Sequence, residues 1–226
     1  MTGKFERFAV YYAPTADSLL AQAGASWLGW DADEGCACAH PDLGVDLAAL
    51  TVAPRKYGLH GTLKPPMRLT CPDETFLDAV ETLAEGLAPV EIGHLCLRII
   101  DGFLAIMPDV QPQPLADLAG QIVRDLDPFR APPTSDELAR RRAAGLSQRQ
   151  EDLLLAWGYP YVMEEFRFHV TLSDRLPAAQ ITDALRAAYA WFGPALDAKH
   201  HVQELVVFGE DRTGQFHLIR RFALGG

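Results

Sequence analysis

The chain repeats one order of elements, and each copy opens with a histidine two positions before a threonine. Residues 56–66 read KYGLHGTLKPP and residues 164–174 read EEFRFHVTLSD, which places His-x-Thr-Leu at 60–63 and at 169–172. Each motif is followed by a proline, a helical pattern and two strand-like segments. Residue identities elsewhere barely match, so the repeat is one of pattern. It predicts two similar lobes related by a pseudo-twofold axis.

Both copies have the pattern of a strand, a helix and a hairpin. In the first, the strand carrying His60 ends near Leu69, the helix DETFLDAVETLAEGL follows Pro72, and a DG turn joins VEIGHLCLRII to FLAIMP. In the second, the strand carrying His169 ends near Asp174, the helix is AAQITDALRAAYAWF, and DRTG joins HVQELVVFGE to QFHLIRRFAL. We therefore expect a bilobal α+β fold, with an antiparallel sheet flanked by helices in each lobe and a cleft between the lobes.

The segments ahead of the first copy are assigned from local patterns. FERFAVYYAP alternates into an aromatic run and predicts a strand that ends at Pro14. Thr15 then caps an amphipathic helix that runs to about Trp30. Residues 31–54 are rich in Asp, Gly and Cys and predict mostly loop, with a short helix near DLAAL.

A stretch at about 127–160 separates the two copies. It combines a proline-rich start with helical patterns: Thr134 or Ser135 begins a helix, and Gly145 breaks it before further helical turns. We interpret the stretch as an insertion in a single bilobal domain that spans residues 1–226.

Three consecutive arginines, Arg140, Arg141 and Arg142, stand in this stretch. In one interpretation they form the solvated face of a helix. In the other they lie on a lid that presents cations to a phosphate. The residue pattern leaves both open.

Composition and charge limit the kinds of molecule that the protein is expected to bind. Hydrophobic residues make up 49% and charged residues 22%, as in ordinary soluble globular proteins. The 20 Lys and Arg are outnumbered by 30 Asp and Glu, for a formal charge of −10, so the chain lacks the electrostatic footprint of a general nucleic-acid binder. We expect a small phosphorylated substrate rather than a long nucleic acid.

Targeting and metal-binding patterns are weak. The segment MTGKFERFAVYYAP is unlike a secretory signal, and no segment approaches the roughly 18 uninterrupted apolar residues of a membrane span. Four cysteines among 226 residues do not make a disulfide scaffold, which favours a reducing cytoplasm. CACAH (Cys36, Cys38 and His40) matches no common zinc spacing, and we interpret it as a loop of idle thiols.

The two motif strands alternate between polar and apolar side chains. Because strand side chains change faces with period two, each strand would present its polar side chains together. The polar faces hold His60, Thr62 and Lys64 on the first strand, and Arg167, His169, Thr171 and Ser173 on the second. The apolar faces would pack on helices and leave the polar faces in the cleft between the lobes.

Two imidazoles, two hydroxyls and one or two cations suit displacement at phosphorus. Histidines with ordinary pKa values near 6.5 serve as base and acid at neutral pH. Hydroxyls and cations bind the non-bridging phosphate oxygens and stabilise added negative charge. A pseudo-twofold axis fits because the entering and leaving oxygens lie on opposite sides of the phosphorus. This chemistry needs no metal or cofactor.

The pair HGTL and HVTL resembles the motifs of the 2H phosphoesterase superfamily, which includes RNA 2',3'-cyclic phosphodiesterases and plant cyclic nucleotide phosphodiesterases. YGLHGTLKPP, FRFHVTLSD and the opening RFAVYYAP are similar to an uncharacterised bacterial branch associated with phosphonate-utilisation operons. The resemblance implies a bilobal fold in which each lobe contributes one His-x-Thr to the cleft.

The resemblance also implies roles for single residues. His60 and His169 would be the acid–base pair, with the order of roles left open, and Thr62 and Thr171 would hold the phosphate. We add three substrate-binding candidates from the strand patterns: Lys64, Arg167 and one of the neighbouring tyrosines, Tyr11 or Tyr12, of which we favour Tyr12.

The expected function is hydrolysis of a small cyclic phosphodiester, of ribose or a nucleotide, by a monomeric or weakly dimeric protein. One alternative is 2'-5' RNA ligase or phosphodiesterase activity by the same histidines. Another is a module that binds a nucleotide or phosphate without turnover.

Overall fold

The computed structural model describes residues 4–226, so the first three residues of the N-terminal segment lie outside it. The fold is α+β, with helices packed on antiparallel sheets, as expected. The strands are β1 Arg7–Tyr12, β2 Trp30–Asp31, β3 Cys36–Ala37, β4 Gly61–Met67, β5 Val90–Gly93, β6 Leu95–Ile100, β7 Phe103–Pro108, β8 Val170–Arg175, β9 His200–Val202, β10 Glu204–Glu210 and β11 Phe216–Ala223. The α-helices are α1 Leu19–Leu28, α2 Leu47–Leu50, α3 Asp73–Glu85, α4 Gln113–Asp125, α5 Ser135–Arg142, α6 Gln148–Trp157 and α7 Ala178–Leu196.

Most helix starts follow their sequence signals, and α1 is the exception. Helices α3 and α7 begin directly after Pro72 and Pro177. For α1 the expected cap Thr15 is wrong: the Ser18 hydroxyl accepts the amide of Ala21 at 3.1 Å. The Thr15 carbonyl accepts the Ser18 amide in a preceding turn, which delays the helix by one turn.

Seven strands form one antiparallel sheet in the order β11-β10-β1-β4-β8-β7-β6. Its two halves meet at β4 and β8, which pair through Gly61 and Val170. The two motif strands are thus neighbours in the middle of the sheet.

Each half of the sheet combines strands from both copies of the pattern. Strand β4 lies with β1 and with hairpin β10–β11 of the second copy, whereas β8 lies with hairpin β6–β7 of the first. Helix α3 packs on β10 and β11, and α7 packs on β6 and β7. The order of elements was therefore predicted correctly, but the copies exchange hairpins, and neither copy forms a half by itself.

The predicted strand VEIGHLCLRII is two strands. Strand β5 leaves the main sheet and pairs with β9 through Val90 and Val202, whereas β6 pairs with β7. The turn between β6 and β7 is the expected one, with positive φ angles of 48° at Asp101 and 87° at Gly102.

The half of the sheet that contains β11, β10, β1 and β4 buries apolar side chains on both of its faces. The main core lies between the sheet and the helices. A smaller cluster on the opposite face joins Tyr11, Val206, Phe208 and Phe216 with the half-buried Tyr57. This second cluster borders the motif strands.

The stretch 127–160 contains α5 and α6, each opened by a capping box, at Thr134 and Ser147. Gly145 has a φ angle of 75° and separates them, as expected. Arg142 of α5 binds Glu151 of α6, with 2.6 Å between its Nη2 and Oε1, and holds the two helices together.

None of the helices in residues 4–226 combines the length and the apolarity needed to cross a membrane.

Candidate active site

The pairing of β4 with β8 brings the two motifs together. Gly61 lies opposite Val170. Because the strands are antiparallel, the same register sets Thr62 opposite His169 and His60 opposite Thr171. Side chains directly opposite on antiparallel strands have Cβ atoms about 5 Å apart, and diagonal ones about 7–8 Å. The register therefore places the four polar side chains on one face, around the junction of β4 and β8.

Both histidines are oriented by the same hydrogen bond. The Nδ1 atom of His60 lies 3.0 Å from the Gly58 carbonyl, and that of His169 lies 2.8 Å from the Arg167 carbonyl. A carbonyl only accepts, so each Nδ1 carries a proton and donates it. The Nε2 atom of each ring is thereby left to exchange a proton with a substrate.

Tight packing positions the backbone ahead of His169. The amide of Phe168 donates to Gln111 Oε1 at 2.6 Å, and Gln111 Nε2 donates to the Phe166 carbonyl at 3.2 Å. A Cβ added at Gly61 would lie 2.6 Å from the buried ring of Phe168. The glycine of HGTL therefore lets the two motif strands approach.

Aromatic rings enclose His60. The ring centroid of Tyr11 lies 4.0 Å from that of His60. The ring centroid of Tyr57 lies 5.5 Å from that of His60, and Tyr57 also stacks on Phe216. Tyr11 also pairs with Thr62 across β1 and β4. Burial, and then the neighbouring Tyr57, raise the pKa of Tyr11 well above its ordinary value, so its hydroxyl stays a neutral hydrogen-bond donor.

The choice of Tyr12 as a substrate ligand is corrected by this arrangement. Tyr12 is buried in the main core, with its ring centroid 5.5 Å from that of Phe168. It points to the face opposite Tyr11 because neighbouring strand residues alternate. Of the two tyrosines, Tyr11 lies on the site face.

The enclosure changes the acidity of His60. Burial lowers its pKa to about 4, although the hydrogen bond to Gly58 raises it, and the nearby charge of His169 lowers it further. His60 is therefore a neutral imidazole at pH 7.

Lys64 does not reach the site, which corrects its assignment as a substrate ligand. Its side chain is 2% exposed, its Nζ donates to the Val123 carbonyl at 3.0 Å, and Asp127 lies 3.8 Å away. Burial lowers the pKa of Lys64 to about 8, and Asp127 opposes that shift. The amine links β4 to the end of α4.

Arg167 lies before the start of β8, in extended loop, and its side chain is exposed. What it supplies to His169 is its backbone carbonyl. Its expected role in substrate binding stays a prediction.

The CACAH segment contains no assembled metal site. His40 Nδ1 lies 3.0 Å from the Trp27 carbonyl and its Nε2 lies 3.1 Å from Arg55, while Cys36 is exposed. Within residues 4–226 no three His, Cys, Asp or Glu side chains gather as a metal-binding group.

The arginines of α5 divide between the two interpretations. Arg142 lies on the surface, paired with Glu151. Arg140 and Arg141 line a cavity of about 260 Å³ whose wall includes Tyr57, the neighbour of His60. Sequence patterns indicated neither Tyr57 nor this cavity, because Tyr57 is placed by Phe216 of β11 and the cavity by the 127–160 stretch.

The chain is similar to one protein family and to two curated bacterial proteins. Residues 62–217 match the family model described as "Protein of unknown function (DUF1045)". The chain is 37% identical over 205 residues to "Ribose 1,5-bisphosphate phosphokinase PhnN" of Janthinobacterium sp. (strain Marseille), covering 85% of this chain and 44% of that protein. It is 35% identical over 219 residues to the protein of that name in Laribacter hongkongensis (strain HLHK9), covering 95% and 51%. The chain thus spans about half the length of these curated relatives.

Solved structures were also matched. One described as a phosphoesterase has a TM-score of 0.47 at 16% identity, with 98% of this chain and 99% of that chain covered. LigT of E. coli complexed with phosphate has a TM-score of 0.43 at 13% identity, with 99% and 100% covered. The family model matches well over half of the residues, and the chain belongs to the DUF1045 family.

Proposed function

We propose that the protein hydrolyses a small cyclic phosphodiester, of ribose or a nucleotide, by general acid–base catalysis with His60 and His169. The observation that carries this proposal is the matched geometry of the two histidines. Each donates its Nδ1 proton to a backbone carbonyl two residues earlier, which leaves Nε2 to exchange a proton, and the register of β4 with β8 sets each histidine beside the threonine of the other motif. A module that only binds phosphate needs no such pair of proton-exchanging groups.

The two histidines have different roles in this reaction. His60, neutral at pH 7 because burial lowers its pKa to about 4, accepts a proton from the attacking water. The water oxygen forms a bond to phosphorus and the bond to one ribose oxygen breaks. His169 donates its Nε2 proton to that leaving oxygen, and the product is a phosphomonoester. Thr62 and Thr171, directly opposite the two histidines, hydrogen-bond the non-bridging oxygens.

The names of the curated relatives agree with a ribose-derived substrate. Both are called ribose 1,5-bisphosphate phosphokinases, and this chain corresponds to 44% and 51% of their lengths. We propose that the present chain acts on a related ribosyl phosphate, with the cyclic diester as the reacting group.

The first test is turnover of ribonucleoside 2',3'-cyclic phosphates and ribose cyclic phosphates, in the presence of EDTA. His60→Ala and His169→Ala should each lower kcat by about a hundredfold or more, the usual contribution of a positioned acid or base. Loss of wild-type turnover in EDTA, with recovery on adding a divalent metal, would contradict the mechanism. Measurable binding of these compounds without turnover would favour the binding module.

A second substrate separates the two roles. A phosphodiester with a p-nitrophenolate leaving group needs little protonation, so His169→Ala should lose much less activity on it than His60→Ala. Equal losses would contradict the assignment of His60 as base and His169 as acid.

A further inference from the structure

The cavity bordered by Tyr57, the neighbour of His60, is rich in arginine, in a chain whose formal charge is −10. Five arginines and one glutamate line it: Arg7, Arg68, Arg130, Arg140, Arg141 and Glu137. Such a concentration of cations on one cavity of an acidic protein indicates an anionic ligand of limited size.

A backbone pairing and a helix cap explain why the arginines converge. Residues after α4 run antiparallel to the end of β4: Leu69 bridges Arg130, and the Ala131 amide donates to the Arg68 carbonyl at 2.8 Å. The capping box at Thr134 then starts α5, whose last turn carries Arg140 and Arg141. Arg7 enters from β1.

In the described part of the chain, three of the five cavity arginines are paired with carboxylates, and two are not. Arg7 binds Glu210, Arg68 binds Glu137 and Arg130 binds Asp127. These ion pairs leave the last turn of α5 as the source of available charge. Arg140 and Arg141 have no carboxylate within 4.0 Å among residues 4–226, and Arg141 lies 4.5 Å from the ring centroid of Tyr159.

The cavity and the histidines share one face of the sheet. Arg7 and Tyr11 are four residues apart on β1, both on the face of the small aromatic cluster, a rise of about 13 Å. Tyr57 lines the cavity, and its ring centroid lies 5.5 Å from that of His60, so the cavity borders the surroundings of this histidine.

We infer that the cavity binds a second, terminal phosphate of the same substrate, with Arg140 and Arg141 as its principal ligands. The substrate is then a small sugar derivative that carries a phosphomonoester besides the cyclic phosphodiester. This inference rests on the proposed function for the reacting group. A backbone phosphate of an oligonucleotide has the same chemistry, but the acidic surface favours the small molecule.

The main test compares adenosine 2',3'-cyclic phosphate with its 5'-phosphorylated form. The terminal phosphate should raise kcat/KM by about tenfold to a hundredfold, as expected for charge-assisted contacts to arginine. In Arg140→Ala/Arg141→Ala the ratio of the two kcat/KM values should fall toward one. The control Arg186→Ala removes an exposed cation of α7, outside the cavity, and should keep the ratio within about twofold of wild type, as for an ordinary surface change.

Binding without turnover separates this inference from the proposed function. Calorimetry with ribose 5-phosphate is carried out on His60→Ala/His169→Ala, with and without the two arginine changes. Binding that disappears with the arginines supports the cavity even if no cyclic phosphate is hydrolysed. Equal kcat/KM values for the two substrates, or binding unaffected by the arginine changes, would overturn it. Preference for a short oligoribonucleotide ending in a cyclic phosphate would overturn the small-molecule assignment.

Discussion

The two histidines of the site have the same local backbone geometry and different surroundings. Both donate Nδ1 to a carbonyl two residues back. Only His60 lies between two tyrosine rings, at centroid distances of 4.0 and 5.5 Å, whereas His169 has the ring of Phe103 at 5.8 Å. Burial among these rings disfavours the imidazolium of His60, so this histidine is neutral at pH 7 and suited to accept a proton.

This enclosure has a consequence for stability. Between pH 6.5 and about 4 the unfolded chain protonates His60 while the folded chain does not. Folding stability therefore falls as pH decreases through that window, by up to about 3 kcal/mol at the low end from this residue.

Urea unfolding of wild type and His60→Gln at pH 7 and pH 4 measures the effect. The wild type should lose up to about 3 kcal/mol more than the variant on acidification, since all other titrating groups are common to both. Parallel losses in the two proteins would show that His60 takes up its proton in the folded state at an ordinary pH.

At the scale of strands, irregular pairing decides which side chains reach the site. On β1 the step from Val10 to Tyr11 is one residue, whereas their partners on β4, Lys64 and Thr62, are two residues apart. This bulge turns Lys64 to the core side with Val10, against strict alternation. On β8, Ser173 is likewise buried, and its hydroxyl accepts the amide of Leu104.

The site was therefore predictable as far as local pattern reaches. His60, Thr62, His169 and Thr171 follow from two short motifs, and the starts of α3 and α7 follow from prolines. The exchange of hairpins, the bulge that redirects Lys64 and the Arg140–Arg141 cavity depend on contacts between residues far apart in sequence. Period-two alternation contains no information about them.

The buried lysine provides the test at this scale. Lys64→Met removes a buried charge together with its contact to α4, so it should keep kcat/KM within about threefold of wild type and cost little stability. Asp127→Ala leaves Lys64 and Arg130 without their carboxylate and should cost about 2–4 kcal/mol.

Urea unfolding of the two single variants and the double variant measures these costs. The double variant should be more stable than Asp127→Ala alone, because no buried ammonium is left unpaired. A loss of about a hundredfold in kcat/KM for Lys64→Met would show instead that the amine reaches the substrate.

At the scale of the whole molecule, charge is distributed unevenly. The chain as a whole has a formal charge of −10, yet one cavity is lined by five arginines. The long-range field repels a polyanion, whereas a small dianion that enters the cavity meets cations within a few ångströms, where salt screens them little. Size selection among phosphate compounds then follows from electrostatics without a steric gate.

Competition experiments test this selection. At about 0.15 M salt, ribose 5-phosphate should inhibit hydrolysis of the 5'-phosphorylated cyclic substrate competitively, and single-stranded RNA of about 20 nucleotides with ordinary 3'-hydroxyl ends should not. Lowering the salt should strengthen inhibition by ribose 5-phosphate only modestly, because one dianion releases few counterions. Strong RNA inhibition with a steep salt dependence would instead indicate a continuous basic path across the surface, and would favour the RNA-directed activity over the small-molecule one.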